Sequence, residues 1–239
     1  MFERPRARAP GRWWSAARFA LSFSAVAPFS AALENSPATG GAAFTARPDA
    51  LFYARVYRNS ASVLSSLSHD HVIRAGAFTA SIRFDASAPG RCAATLRIPV
   101  KSLLVDEPSM RRRVGLSTPL DASDRKSVRQ HMLAEDQLDA EHHPEIQVVV
   151  GGCVESATRG SYQADVTFTI RGKSVRRERA AQITLAGSQL RVSGSLRLSH
   201  AAFGIQPYSA WLGSVGNAEP LDFVWALQAD QVTASPPQP

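Results

Sequence analysis

His69 and His71 flank Asp70, and on a strand a spacing of two puts both imidazoles on one face with the carboxylate on the other. Neutral imidazoles so placed can share a metal ion or a polar head group. A stable metal site needs a third or fourth ligand, and His142, His143 and His200 offer donors at spacings that do not demand that role. The competing reading is a hydrogen-bonded polar plug in a barrel mouth. His142-His143-Pro144 marks a helix exit, and His131 lies between Val128 and Leu138 on an amphipathic segment, where it reads as a partly exposed side chain. No G-x-S-x-G elbow, H-E-x-x-H helix, G-x-G-x-x-G loop or C-x-x-C pair is present. Arg171-Gly172-Lys173-Ser174 ends like a phosphate loop, but Thr167 stands where the first glycine belongs, so the segment reads as a hairpin turn. The residues point to binding: no catalytic residue, metal ligand or cofactor is assigned.

The elements that must position these side chains are strands. Phe78, Ala80, Ile82 and Phe84 alternate with polar residues, as do Ala94, Leu96, Ile98 and Val100, then Ala164, Val166, Phe168 and Ile170. Leu190 to Leu198 and Leu221 to Leu227 repeat the pattern, which is that of half-buried strands. Weaker strand patterns cover Leu51 to Tyr57, Ala61 to Leu67, Glu145 to Val150 and Arg177 to Leu185, with hairpin turns at Gly172-Lys173 and Gly187-Ser188. Asp121 to Ala140 breaks the period and reads as an amphipathic helix, with Asp121 or Ser123 as N-cap and Pro144 beyond its end. Val105 to Pro119 reads as a surface loop. The expected fold is all-β: an antiparallel barrel of about eight strands with one inserted α-helix, a sandwich being the alternative. Whether such a barrel is hollow or filled by its own side chains stays open at this level. The basic turn with Arg171, Lys173, Arg176, Arg177 and Arg179 reads as a solvated hairpin.

The net charge of +7 is concentrated at the start. Arg4, Arg6, Arg8, Arg12 and Arg18 stand against Glu3 alone, which leaves +3 for the rest and removes the case for a nucleic-acid partner. Phe19 to Ala32 is an uncharged apolar run ending in small residues, so residues 1–32 read as a secretory signal, 33–43 as a flexible lead-in, 44–230 as one barrel domain and 231–239 as a disordered tail. A periplasmic or secreted location follows. In such a compartment Cys92 and Cys153 are expected to form a disulfide, provided the strands around 92–100 and 145–153 pair antiparallel. Pairing Leu96 and Ile98 with Val148 and Ile146 puts an even-numbered residue opposite Cys92, so a bulge at Gly151-Gly152 must bring Cys153 into line.

Ser68-His69-Asp70-His71-Val72-Ile73-Arg74-Ala75-Gly76-Ala77-Phe78, the block from Val128-Arg129-Gln130-His131 to His143-Pro144-Glu145-Ile146, and Ala202-Phe203-Gly204-Ile205 resemble, in this order, the YceI family. The resemblance spans roughly Phe44 to Ala229. The chain departs from the family pattern with Ser68 before the His-Asp-His triplet, Gln137-Leu138 at the helix exit and Val215-Gly216-Asn217-Ala218-Glu219 near the end. The resemblance implies a bacterial, lipocalin-like barrel that carries an isoprenoid-like or other long-chain amphiphilic lipid, with transient membrane-surface contact. It further implies that Phe78, Ile82, Leu96, Ile98, Phe168 and Leu196 line the chain site together with Phe203, Trp211 and Trp225, while His69 and His71 meet the head group. A metal- or heme-handling protein using His69 and His71, or a filled adaptor barrel, are the alternatives. Leu196→Trp separates hollow from filled: it lowers ligand uptake in the first case and costs stability in the second.

Overall fold

The computed structural model describes residues 41–62, 64, 66, 68–210 and 214–232. Its strands, in chain order, are β1 (Ala42–Ala46), β2 (Leu51–Arg58), β3 (His71–Ala75), β4 (Thr79–Phe84), β5 (Ala93–Pro99) and β6 (Leu103–Val105). After two helices, α1 (Pro108–Arg113) and α2 (Ala122–Leu133), come β7 (Glu145–Glu155), β8 (Ser161–Ile170), β9 (Lys173–Ala186), β10 (Gln189–Ser199), β11 (Ser209–Ala210) and β12 (Val215–Gln231). Eight of them close an antiparallel barrel in the order β1, β4, β5, β7, β8, β9, β10, β12, with β1 bonding back to β12. β12 is long enough to serve two neighbours on one side, β2 from Asn217 to Ala226 and β1 from Ala229 to Gln231; β3 and then β6 extend beyond β2. The period-two sets face inward as their spacing requires: Ala80, Ile82 and Phe84, then Leu96 and Ile98, and every second residue of β8 are buried.

The β5–β7 ladder sets Leu96 opposite Val148, Ile98 opposite Ile146 and Ala93 opposite Gly151. Straight continuation would bring Gly152 to Cys92. Instead the β7–β8 register shifts between Gly151 and Val154, Gly152 takes φ 63°, and Cys153 turns inward to bond Cys92, with Cα atoms 5.7 Å apart. Asp121 caps α2 by accepting from the Asp124 amide at 2.8 Å.

Three segments differ from expectation. The described residues of 61–67 form turns, because the Asn59 side chain accepts from the Ala61 amide and folds the chain back. α2 stops at Leu133 rather than reaching Ala140; the amides of Leu138 and Ala140 take the carbonyls of Met132 and Leu133 across a turn with Asp139 at φ 49°. Val105 to Pro119 holds α1, begun by Pro108 in the first turn, where a missing N–H costs nothing. Residues 1–32, most of 33–43, 233–239 and Trp211, for which the sequence sets expectations, lie outside the described residues.

Candidate functional site

The barrel is hollow in two places. Beneath α2 lies a cavity of about 270 Å³, walled by β2, β3 and β12 and roofed by Val128, Met132 and Leu138. No residue of α2 is fully buried; Val128, Met132 and Leu133 pack against the edge of the core, and Val128 and Met132 also face this cavity. A second cavity of about 80 Å³ lies toward the disulfide, lined by Ile82, Leu96, Val150, Ile183 and Trp225. Phe52, Phe168 and Phe223 stand between them, with ring centroids 4.8 to 6.4 Å apart. Phe52 lines both cavities, Phe223 the first and Phe168 the second. The interior is therefore two apolar chambers separated by a layer of aromatic rings.

Among the described residues, histidines gather around the α2-side chamber, where His71, His131 and His200 all lie on its lining. His71 opens β3, and its Nδ1 lies 2.6 Å from Oδ2 of Asp106, a fully buried carboxylate at φ 51°. The other oxygen of Asp106 accepts from the Val72 amide at 3.0 Å and from Arg111 Nη1 at 2.7 Å. Burial opposes ionisation of Asp106, but His71, the Val72 amide and Arg111 outweigh it and hold the carboxyl below the usual carboxylate range. Arg111 is itself buried and directs three further donors to the carbonyls of Asp70 and Thr118. Across the chamber His200 Nδ1 meets the Glu219 carbonyl at 2.9 Å. An ionised carboxylate and a carbonyl only accept, so both Nδ1 atoms carry the proton, and in the neutral rings Nε2 is an acceptor. Neither Nε2 has a hydrogen-bond partner among the described residues. His131, against Tyr208 at 4.9 Å between ring centroids, completes the polar rim. This arrangement suits an apolar chain ending in a hydrogen-bond donor.

A YceI-like domain model matches residues 57–227. The chain belongs to the YceI-like family. Among solved structures, BcnA of Burkholderia cenocepacia is similar at TM-score 0.55 and 16% identity, over 75% of this chain and 95% of that one. A polyisoprenoid binding domain from Saccharophagus degradans is similar at TM-score 0.52 and 11% identity, over 81% of this chain and all of that one. No curated protein matches the chain.

Within this YceI-like barrel the expected site residues separate. Ile98, Phe203 and His71 line the α2-side chamber; Ile82, Leu96, Phe168 and Trp225 line the disulfide-side one. Phe78 packs against the core and Leu196 is buried in it, and neither reaches a chamber. His69 lies before β3 and away from both chambers, so the shared face for two histidines does not form; Asp70 beside it accepts from the Arg58 amide. Among the described residues no three His, Cys, Asp or Glu side chains converge in a way that could hold a metal ion. Asp106, Arg111, His131 and His200 are the polar groups that pattern reading passed over as site residues. For Asp106 and Arg111 alone, the pair Glu107-Pro108 was the signal that their loop held a helix start. Leu196→Trp should accordingly cost about 1–3 kcal/mol by overpacking and leave ligand uptake unchanged. Thermal unfolding and a binding titration on the same variant check both halves.

Proposed function

We propose that this protein is an exported, non-enzymatic carrier of a single-chain amphiphile, an isoprenoid-like or fatty molecule with a hydroxyl or similar donor at its head. The observation that carries the reading is the α2-side chamber, apolar in its depth and polar only at its rim. The chain would lie against Ile73, Ile98, Leu221 and Phe223, and the head would donate to Nε2 of His71 or His200 beside His131. The binding named for the Saccharophagus domain supports a lipid-like ligand, and the disulfide supports an oxidising compartment. At about 30 Å³ for a group of water size, 270 Å³ takes about nine chain atoms before the phenylalanine layer stops them.

The test is a calorimetric titration with straight-chain alcohols of six to sixteen carbons, alongside mass spectrometry of an organic extract. Each methylene should tighten binding by about 0.8 kcal/mol until the chamber is full, after which the gain should level off. Phe168→Leu should move that limit to longer chains. If no alcohol of any length binds and the extract is empty, the carrier reading is rejected in favour of a barrel whose hollows hold nothing.

A further inference from the structure

β9 and β10 part halfway along the barrel. Their ladder runs from Gln189 opposite Ala186 to Gly194 opposite Ala181 and ends there. Both strands continue, β9 back to Lys173 against β8 and β10 on to Ser199 against β12. The same register would next set Ser195 against Ala180, and that pair is not bonded. Two strand edges thus face each other across a slit in the wall. The slit holds a cleft of about 420 Å³ lined by Arg179, Ala181, Gln182, Ser193, Gly194 and Ser195. Arg179 and Ala181 also line the disulfide-side chamber, so this is where that chamber meets the flank of the barrel. Gly194 is required at the bend, because a side chain there would collide with the indole of Trp225.

Two arginines break the inward apolar series of β9. Arg177 stands opposite Val166 and Arg179 opposite Ala164, both buried inward residues, so the arginines share the interior face with Val175. Both are nevertheless exposed, which an inward position permits only where the wall is open. Arg176 and Arg197 are each held by an aspartate, Asp165 and Asp222, whereas Arg177 and Arg179 have no carboxylate at ion-pair distance among the described residues. Arg179 Nε donates to the Ser195 carbonyl across the slit at 2.9 Å, which fixes the guanidinium at the cleft with its terminal nitrogens free of other protein acceptors among the described residues. Arg177 Nη1 donates to the Arg176 carbonyl at 2.8 Å, so both guanidinium groups have a carbonyl partner but no counter-charge among the described residues. Charged residues at positions where the pattern calls for apolar ones are the kind of local exception expected at a functional site.

We propose that the slit is a second binding site, separate from the α2-side chamber, for a small anionic amphiphile. Its carboxylate or phosphate monoester is held by the forked donors of Arg177 and Arg179, and its short tail enters the disulfide-side chamber beside Ala181 and Trp225. That chamber takes about three groups at about 30 Å³ each, and the phenylalanine layer closes it toward α2. The experiment titrates the full chain at low salt with pentanoate, butyl phosphate and pentanol, with and without 1-decanol filling the α2-side chamber. Wild type should bind one of the anions at least tenfold tighter than pentanol, and the tighter anion identifies the head group. Added salt should weaken that binding. Arg177→Gln with Arg179→Gln should abolish the tenfold preference and leave decanol binding unchanged. Arg177→Glu keeps the Arg179–Ser195 bridge and should lose the anion as well, which separates charge from folding. Equal anion binding by wild type and both variants overturns the proposal, and so does displacement of the anion by decanol, which would put both in one chamber.

Discussion

Replacing Cys92 and Cys153 together by alanine should lower the unfolding free energy by about 4 kcal/mol on the chain-entropy account of cross-links. The bond closes a loop spanning 61 positions, and that loop contains β5, β6, both helices and most of β7, of which β5, β6, α2 and β7 contribute lining to the α2-side chamber. Without the bond the unfolded chain regains the freedom of this whole stretch. The folded state gives up little in exchange, since β5 and β7 stay joined by a ladder from Ala93 to Pro99. Urea unfolding of the variant beside the parent measures the difference. A loss under about 1 kcal/mol would show that the unfolded chain already holds these segments together, which is the known way such estimates fail. Alanine is preferable to serine here, because both positions are buried against the apolar chamber and a hydroxyl would add its own desolvation cost.

The same cysteines show how far the sequence can be read. The parity of Leu96 and Ile98 against Val148 and Ile146 is enough to demand a bulge at Gly151-Gly152, because a period of two leaves no other way to turn Cys153 inward. Faces are legible for this reason, and so are most strands. Depth is not. Ile98 and Leu196 carry the same inward signature, yet one borders a chamber and the other is packed solid, since whether neighbouring side chains fill the space between them depends on three-dimensional curvature that no periodicity records. His69 and His71 look equivalent in spacing, but only His71 lies in a strand, and Asp106, 35 positions on, decides which way its ring is turned. Arg177 and Arg179 read as a solvated turn because their inward parity becomes visible only when the pairing with Val166 and Ala164 is known.

Asp106→Ala should cost about 3–5 kcal/mol, the range for breaking a buried ion pair from one side. The carboxylate is fully buried and joins Arg111, the Val72 amide and His71; its removal leaves the buried Arg111 guanidinium without a counter-charge. Alanine at φ 51° adds backbone strain that aspartate and asparagine tolerate better. Asp106→Asn therefore isolates the charge, and its pH dependence has a definite sign. The folded-state carboxyl titrates below its unfolded value of about 3.9, so its contribution is complete above that value and is lost as pH falls through the lowered one. Asp165 and Asp222, also held low by arginines, add the same acid sensitivity to both proteins. The stability gap between parent and Asn variant should thus be widest above about pH 5 and shrink steadily below about pH 4. Urea unfolding at several pH values measures it, and a gap independent of pH would mean that Asp106 stays protonated in its burial and acts as a neutral donor. Binding should follow the same substitution. An asparagine amide can turn its NH₂ to His71 Nδ1, which shifts the ring proton to Nε2 and replaces the acceptor at the chamber rim by a donor. A donor-only head such as a primary alkylammonium should then bind more weakly to Asp106→Asn than to the parent, while alcohols, whose hydroxyl can accept from Nε2–H as well as donate to Nε2, keep their affinity, a difference that a merely structural Asp106 would not produce.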